Sequence, residues 1–271
     1  MALIQVNYLS QSLFRTVPLN VILPVDKLSF AEKEYAMKPG EKFKTLYLLH
    51  GLLGNYTDYV SNTRIQKWAE EKNLAVVMPS GDNSFYVNGR SEDMAYQKFI
   101  GEELPLMTRQ MFPLSEKRED TFIGGLSMGG YGAIRNGMIY AETFSHIFGM
   151  SSALFVLEEH SRPAAGENEG SRDMEASRVG DRNPITAMKE LLARGTELPK
   201  IYLSCGLSDS LLDENRFFRD TLIENGFDVT YEEEPGGHEW DFWDRQLKKI
   251  LDWLPLDAGE AGIGSGNVRL D

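Results

Sequence analysis

The chain has 271 residues, 42% hydrophobic and 25% charged, with 28 Lys+Arg against 41 Asp+Glu for a formal net charge of −13. That length supports one sizeable core, and so acidic a chain repels phosphate backbones and anionic membranes, which argues against nucleic-acid and membrane partners. The single cysteine, Cys205, excludes an internal disulfide framework and suits a reducing cytoplasm.

The first residues, MALIQVNYLSQSLFRTV, alternate apolar and polar positions. They lack the basic start and continuous apolar block of a signal peptide. No run reaches the roughly 20 apolar residues of a membrane span. Leu3–Tyr8 and Arg15–Leu23 have a period near two around Ser10-Gln11-Ser12, which predicts an antiparallel hairpin. Short apolar runs without alternation follow at Thr45–Gly51, Leu74–Gly81, Thr121–Gly125, His146–Ser152 and Ile201–Gly206, with a weaker one at Asp228–Glu234. Strands buried on both faces of a parallel sheet read this way. Helical patterns separate them at Arg64–Lys72, Ala95–Met111, Gly130–Tyr140, Asn215–Asn225 and Glu239–Leu254. The fold class is therefore α/β: a mostly parallel central sheet with helices on both faces, preceded by an antiparallel hairpin.

Two regions break this rhythm. Glu158–Asn183 is charged and Gly/Ser-rich and follows a strand. It reads either as a small lid over the sheet's carboxyl end or as a mobile surface loop. Residues 1–256 make one domain, and the glycine-rich residues 257–271 read as a disordered tail. Gly262-x-Gly264-x-Gly266 imitates a dinucleotide fingerprint, but no strand precedes it and no helix follows, so that reading is rejected. There are no internal repeats. Oligomeric state stays open, with aromatics near the insertion as the one hint of a homo-oligomer.

The chemistry centres on TFIGGLSMGGYGA, Thr121–Ala133. Gly125-Leu126-Ser127-Met128-Gly129 sits between an apolar run and a helical pattern, the context of a G-x-S-x-G nucleophile elbow. So sharp a turn strains the serine and leaves no room for a Cβ on either flanking residue, hence the glycines. A purely structural glycine-rich turn is the bland alternative. Serine needs a base, and the four histidines are His50, His146, His160 and His238. His238 follows the last strand signal on a Pro-Gly-Gly loop and precedes a helix, level with the elbow. His50 orders its own loop by hydrogen bonding rather than acting as base. The imidazole needs a carboxylate, which in this arrangement lies between serine and histidine in the chain. Asp209 stands three residues past the strand IYLSCG. Asp213 is the rival, although it fits a helix cap through Arg219. For the oxyanion, the amide of Met128 and one from His50-Gly51-Leu52-Leu53-Gly54 are the expected donors, Leu52 ahead of Leu53.

These stretches, with RTVPLNVILP, TLYLLHGLLGNYTDY, LAVVMPSGDNSFYVN, GEELP and GGHEWDFW, resemble the tributyrin esterase (EstA-like) family of bacterial α/β hydrolases. Its relatives include esterase D/S-formylglutathione hydrolase and the feruloyl and acetyl-xylan esterases. The resemblance spans residues 2 to 256 and implies an α/β-hydrolase fold with Ser127, Asp209 and His238 as triad. It also implies Leu52 and Met128 as oxyanion donors and hydrolysis of short acyl esters of small molecules, without metal or cofactor. Phe85 and Tyr86 resemble a wall of the substrate site, with a buried packing pair as the alternative. Leu53, Phe85, Tyr86, Leu154, Phe155 and the insertion set the pocket's size. Thioester hydrolysis on S-formylglutathione is the second reading. A binding protein on a hydrolase scaffold and a peptidase rank below it, the first opposed by the complete Ser/Asp/His set and the second by the lack of room for a specificity domain.

Overall fold

The non-alternating apolar runs become parallel strands because a sheet covered by helices on both faces buries every side chain along them. In the computed structural model, residues 1–26, 28–29, 34–35, 40–89, 91–154 and 182–256 are described. The predicted insertion up to residue 181, Phe155 and the tail 257–271 lie outside the described residues. The strands are β1 (Ala2–Ser10), β2 (Arg15–Leu23), β3 (Leu28–Ser29), β4 (Glu34–Tyr35), β5 (Lys44–Leu49), β6 (Leu74–Pro79), β7 (Thr121–Leu126), β8 (His146–Met150), β9 (Lys200–Gly206) and β10 (Val229–Glu234). Eight form one sheet in the order β1-β2-β6-β5-β7-β8-β9-β10, and β3 pairs with β4 apart from it. The pairs β1–β2 and β2–β6 are antiparallel and the rest parallel.

Helices α1 (Asp58–Asn62), α2 (Ile65–Glu71), α3 (Tyr96–Lys98), α4 (Leu104–Met111), α5 (Met128–Ile139), α6 (Pro184–Arg194), α7 (Leu212–Glu224) and α8 (Trp240–Trp253) cover the sheet. One core layer holds Ile134, Leu191 and Phe218, from α5, α6 and α7. The other holds Trp68, Leu247 and Ile250, from α2 and α8. The register aligns the carboxyl ends: Leu49 pairs with Gly125, Leu126 with Met150, Met150 with Ser204 and Gly206 with Glu234. The loops that leave these ends therefore emerge along one edge. No helix among the described residues is long and apolar enough to cross a membrane.

The expected helix over Ala95–Met111 is interrupted by a π-helical segment, Phe99–Glu103. Its Glu103 carboxylate accepts hydrogen bonds from the Ser10 hydroxyl and from the amides of Gln11 and Ser12, at 3.2, 3.0 and 2.7 Å. It thus caps the hairpin turn. α6 and the short α1 were not expected from the sequence, although α6 carries clear signals. Asn183 accepts the Ile185 amide at 2.9 Å, Pro184 opens the first turn, and Gly195 closes the helix at φ 65°.

At the far end of β8, His146 packs edgewise against Phe122 and Trp253, with ring centroids 5.4 and 5.1 Å away. Burial lowers its pKa from 6.5 to about 4. A folded-state pKa below the unfolded one gives stability that is complete above about pH 6.5 and drains away as the pH falls toward 4. Thermal denaturation across that window will show a falling midpoint. The fall is shallower in His146→Phe, with a residual slope from the buried His50.

Candidate active site

The elbow is built by close approach of backbones. A Cβ on Gly125 would lie 2.6 Å from the Gly129 carbonyl carbon and 2.6 Å from the Leu49 oxygen. One on Gly129 would overlap the Leu49 oxygen outright and lie 2.6 Å from that of His50. Only glycine fits at either position. Between them Ser127 takes φ 53° and ψ −119°, a conformation that costs a non-glycine residue roughly 1–3 kcal/mol. Its peptide groups are pinned: the Ser127 amide donates to the Met150 oxygen at 2.8 Å. Its own carbonyl accepts from the amides of Tyr131 and Ala153, both at 3.0 Å. The hydroxyl thereby projects from the sheet edge ahead of the α5 N-terminus.

The structure brings His238 and Asp209 to this hydroxyl from loops 111 and 82 residues downstream of it. His238 Nε2 is 2.9 Å from Ser127 Oγ, and His238 Nδ1 is 2.9 Å from Asp209 Oδ2. The last two strands make this possible. The amide of Ser208 donates to the Gly236 oxygen at 2.9 Å, and a Cβ on Gly206 would strike that same carbonyl. Burial pushes the Asp209 carboxyl upward, but its hydrogen bonds to His238 and the Leu211 amide, with the nearby Ser151 hydroxyl, outweigh burial and hold it below the ordinary carboxylate range. An ionised Asp209 only accepts, so His238 Nδ1 carries the proton and Nε2 accepts from the serine. The group can therefore draw the Ser127 proton onto an imidazole whose positive charge is stabilised. Asp213 stands apart: it is exposed, and its partner is Arg216 at 3.6 Å rather than Arg219.

Two further residues, not singled out from the sequence, support this pair. The Trp243 ring stands perpendicular to the His238 ring at 4.9 Å. Its indole N–H donates to Ser151 Oγ at 3.1 Å. Ser151 has φ 46°. The neighbouring Ser152 backbone is clamped by Asn215, which accepts its amide at 3.2 Å and donates to its carbonyl at 2.9 Å. Cys205, close by, is no rival nucleophile, because burial pushes its thiol up to about 12.

The Met128 amide, at the first position of α5, and the Leu52 amide have no hydrogen-bond partner among the described residues. The Leu53 amide does have one: it donates to Asn83 Oδ1 at 2.8 Å. His50 holds this loop as expected. The Gly81 amide donates to its Nε2 at 2.8 Å, which leaves Nδ1 protonated to donate to the Gly51 oxygen at 2.7 Å. Burial lowers its pKa and keeps it neutral. The expected substrate wall needs correction at Tyr86. That side chain is fully buried, its hydroxyl donates to the His50 oxygen at 2.9 Å, and its ring fills the space left by Gly81 and Gly132. It supports the 50–54 loop from beneath and cannot touch a substrate. Phe85 is half-buried, edge-on to Tyr131 at 5.9 Å, and Leu53 is 83% exposed at the rim.

Residues 10–254 match the family described as "Putative esterase". The acetyl esterase of Caldicellulosiruptor saccharolyticus is 41% identical over 264 residues, 94% of this chain and 98% of that protein. Among solved structures, an S-formylglutathione hydrolase from Staphylococcus aureus superposes with a TM-score of 0.78 at 29% identity, covering 93% of this chain and 98% of that one. A substrate-bound fluorophosphonate-binding serine hydrolase from Staphylococcus aureus gives 0.80 at 29% identity, covering 96% and 99%.

The crowding at the elbow is directly testable. Gly129→Ala presses a methyl group against two rigid backbone carbonyls, so about 3 kcal/mol of stability is lost, the upper end of the overpacking range. The melting temperature should fall by about 6 °C or more. A midpoint within 2 °C of the parent would remove steric need as the reason for that glycine.

Proposed function

The chain belongs to the esterase family and is a serine carboxylesterase; from that premise we propose that it hydrolyses short-chain acyl esters through an acyl-enzyme on Ser127. The observation that carries the reading is the Ser127–His238–Asp209 arrangement, two contacts of 2.9 Å, beside two amides with no hydrogen-bond partner among the described residues. Ser127 Oγ attacks the ester carbonyl carbon while its proton passes to His238 Nε2. The carbonyl oxygen becomes an oxyanion and accepts hydrogen bonds from the amides of Met128 and Leu52, which need no reorganisation. Collapse breaks the C–O bond to the alcohol, whose oxygen takes the proton from His238. A water molecule then gives a proton to His238 and attacks the acyl carbon. The second collapse returns the proton to Ser127 and releases the carboxylic acid. Asp209 stays ionised throughout and stabilises the imidazolium.

The acetyl esterase relative supports an acetyl group; we extend the proposal to acyl groups up to butyryl, on tributyrin-like or carbohydrate-linked esters. A glutathione thioester is the alternative that the S-formylglutathione hydrolase relative brings. The charges favour the neutral ester. The described loops 50–63, 80–89, 206–211 and 235–241 carry Asp58, Asp82, Asp209, Glu239 and Asp241, against Arg15, which pairs with Asp82, and Arg182, which reaches the Asn88 oxygen. The excess of acidic over basic groups there disfavours a net-negative glutathione conjugate. Feruloyl and acetyl-xylan esters remain within the ester reading, and one cysteine suits a cytoplasmic setting.

The test is a series of p-nitrophenyl esters from acetate to laurate, with a feruloyl ester and S-formylglutathione, on the parent and Ser127→Ala. Activity should fall steeply beyond about four to six acyl carbons as the pocket overfills. Ser127→Ala should lose at least about 10⁴-fold in kcat. An optimum at laurate would sink the short-chain assignment, and a higher kcat/KM for the thioester would replace it with the alternative.

A further inference from the structure

The segment Gly51–Gly54 closes as a turn, with the Gly54 amide donating to the Gly51 oxygen at 3.2 Å. Leu53, its third residue, has φ 63°, a value that favours glycine and is strained in leucine. Such a turn holds its shape only where neighbours fix the peptides. The Gly51 carbonyl is fixed twice, by the Gly54 amide and by His50 Nδ1. This orients the Leu52 amide at the other end of the same peptide unit, which has no partner among the described residues. The next peptide has one tie only among the described residues: its Leu53 N–H donates to Asn83 Oδ1.

Asn83 is itself firmly placed. The preceding residue, Asp82, is held by Arg15 and by the Tyr96 hydroxyl at 2.6 Å. Ser84, after it, bonds back to the Gly81 oxygen at 2.6 Å. The Tyr86 carbonyl accepts from Asn136 at 3.0 Å. Yet Asn83 is exposed, and its side chain makes no other hydrogen bond among the described residues, so its amide oxygen has no packing task.

We propose that Asn83 is a positioning residue for the oxyanion site: by taking up the Leu53 amide it locks the strained turn and leaves the Leu52 amide as the donor aimed at the reacting carbonyl oxygen. This rests on the esterase reading of Ser127 and on Leu52 and Met128 as oxyanion donors. It assigns to one exposed side chain the choice between two adjacent amides. With the Asn83 oxygen removed, the central peptide of the turn is free to rotate, and relaxation of Leu53 carries the Leu52 N–H off its line. The ground-state ester, a weaker acceptor than the oxyanion, hardly registers that loss.

The experiment compares the parent with Asn83→Ala and Asn83→Asp on p-nitrophenyl acetate, and measures inhibition by a short alkylboronic acid, whose serine adduct presents an oxygen to the same amides. Asn83→Ala should lower kcat about 10- to 100-fold with KM within threefold. The boronate inhibition constant should rise by a matching factor and the melting temperature should stay within about 2 °C. Asn83→Asp, which keeps an accepting oxygen, should fall between the two. A kcat for Asn83→Ala within twofold of the parent overturns the proposal, as does a loss carried by KM with boronate affinity unchanged. Failure of the underlying reading has a separate signature: parent activity that persists in Ser127→Ala.

Discussion

The contact on which the rest of the site depends is the meeting of three backbones: the end of β5 at Leu49, the turn at Gly125 and the first turn of α5 at Gly129. Because both flanking residues lack a Cβ, α5 can start one residue after the strand's bend, and Ser127 has nowhere to go but outward. A methyl group at either position would push α5 off the sheet and take with it the Met128 amide. The elbow is therefore a steric device first. Its chemical capacity comes from what the register of the sheet then brings to the same edge.

Strain around that edge is distributed rather than confined to the serine. Leu53, Asp82, Phe85, Tyr86, Ser127 and Ser151 all have positive φ, each at a cost of order 1–3 kcal/mol. Each is bound by a specific hydrogen bond or by packing against rigid elements. Ser151 hangs from the Ser204 oxygen at 2.7 Å, with the Asn215 amide beside it. Tyr86 is wedged against α5. The stability for this comes from the two core layers on either side of the sheet, not from the site's own contacts. A rigid scaffold that carries strained loops is how donors are held in place before the reaction, so that charge development meets fixed dipoles instead of mobile water.

The histidines illustrate how environment divides labour among identical side chains. His50 is buried, accepts one backbone amide and donates to a backbone carbonyl, and burial keeps it neutral. His146 lies among Phe122 and Trp253, far from the elbow along β8, and burial again lowers it. Among the described histidines, His238 alone is both open to solvent on one side, 37% exposed, and tied to a buried carboxylate on the other. That combination suits a group that must gain and lose a proton during turnover.

The order of apolar runs, the G-x-S-x-G spacing, and the positions of Asp209 and His238 just past strand ends sufficed to lay out the α/β sheet and the three side chains that meet on it, because each signal is local or follows from chain order. α6 was equally legible in Pro184 and Gly195, but the charged stretch before it masked the start. What the sequence could not decide was direction and distant partnership. Tyr86 read either as a wall of the substrate site or as part of a buried packing pair and is a buried prop, since nothing local says which way a side chain at positive φ turns. Asn83 reaches Leu53 across 30 positions, and Trp243 reaches Ser151 across 92. Hydrogen bonds between residues so far apart in the chain exist only once the packed sheet has set their spacing. Local propensity thus chose the elements and the reactive residue types, while the packed sheet chose which amides and which supporting side chains face them.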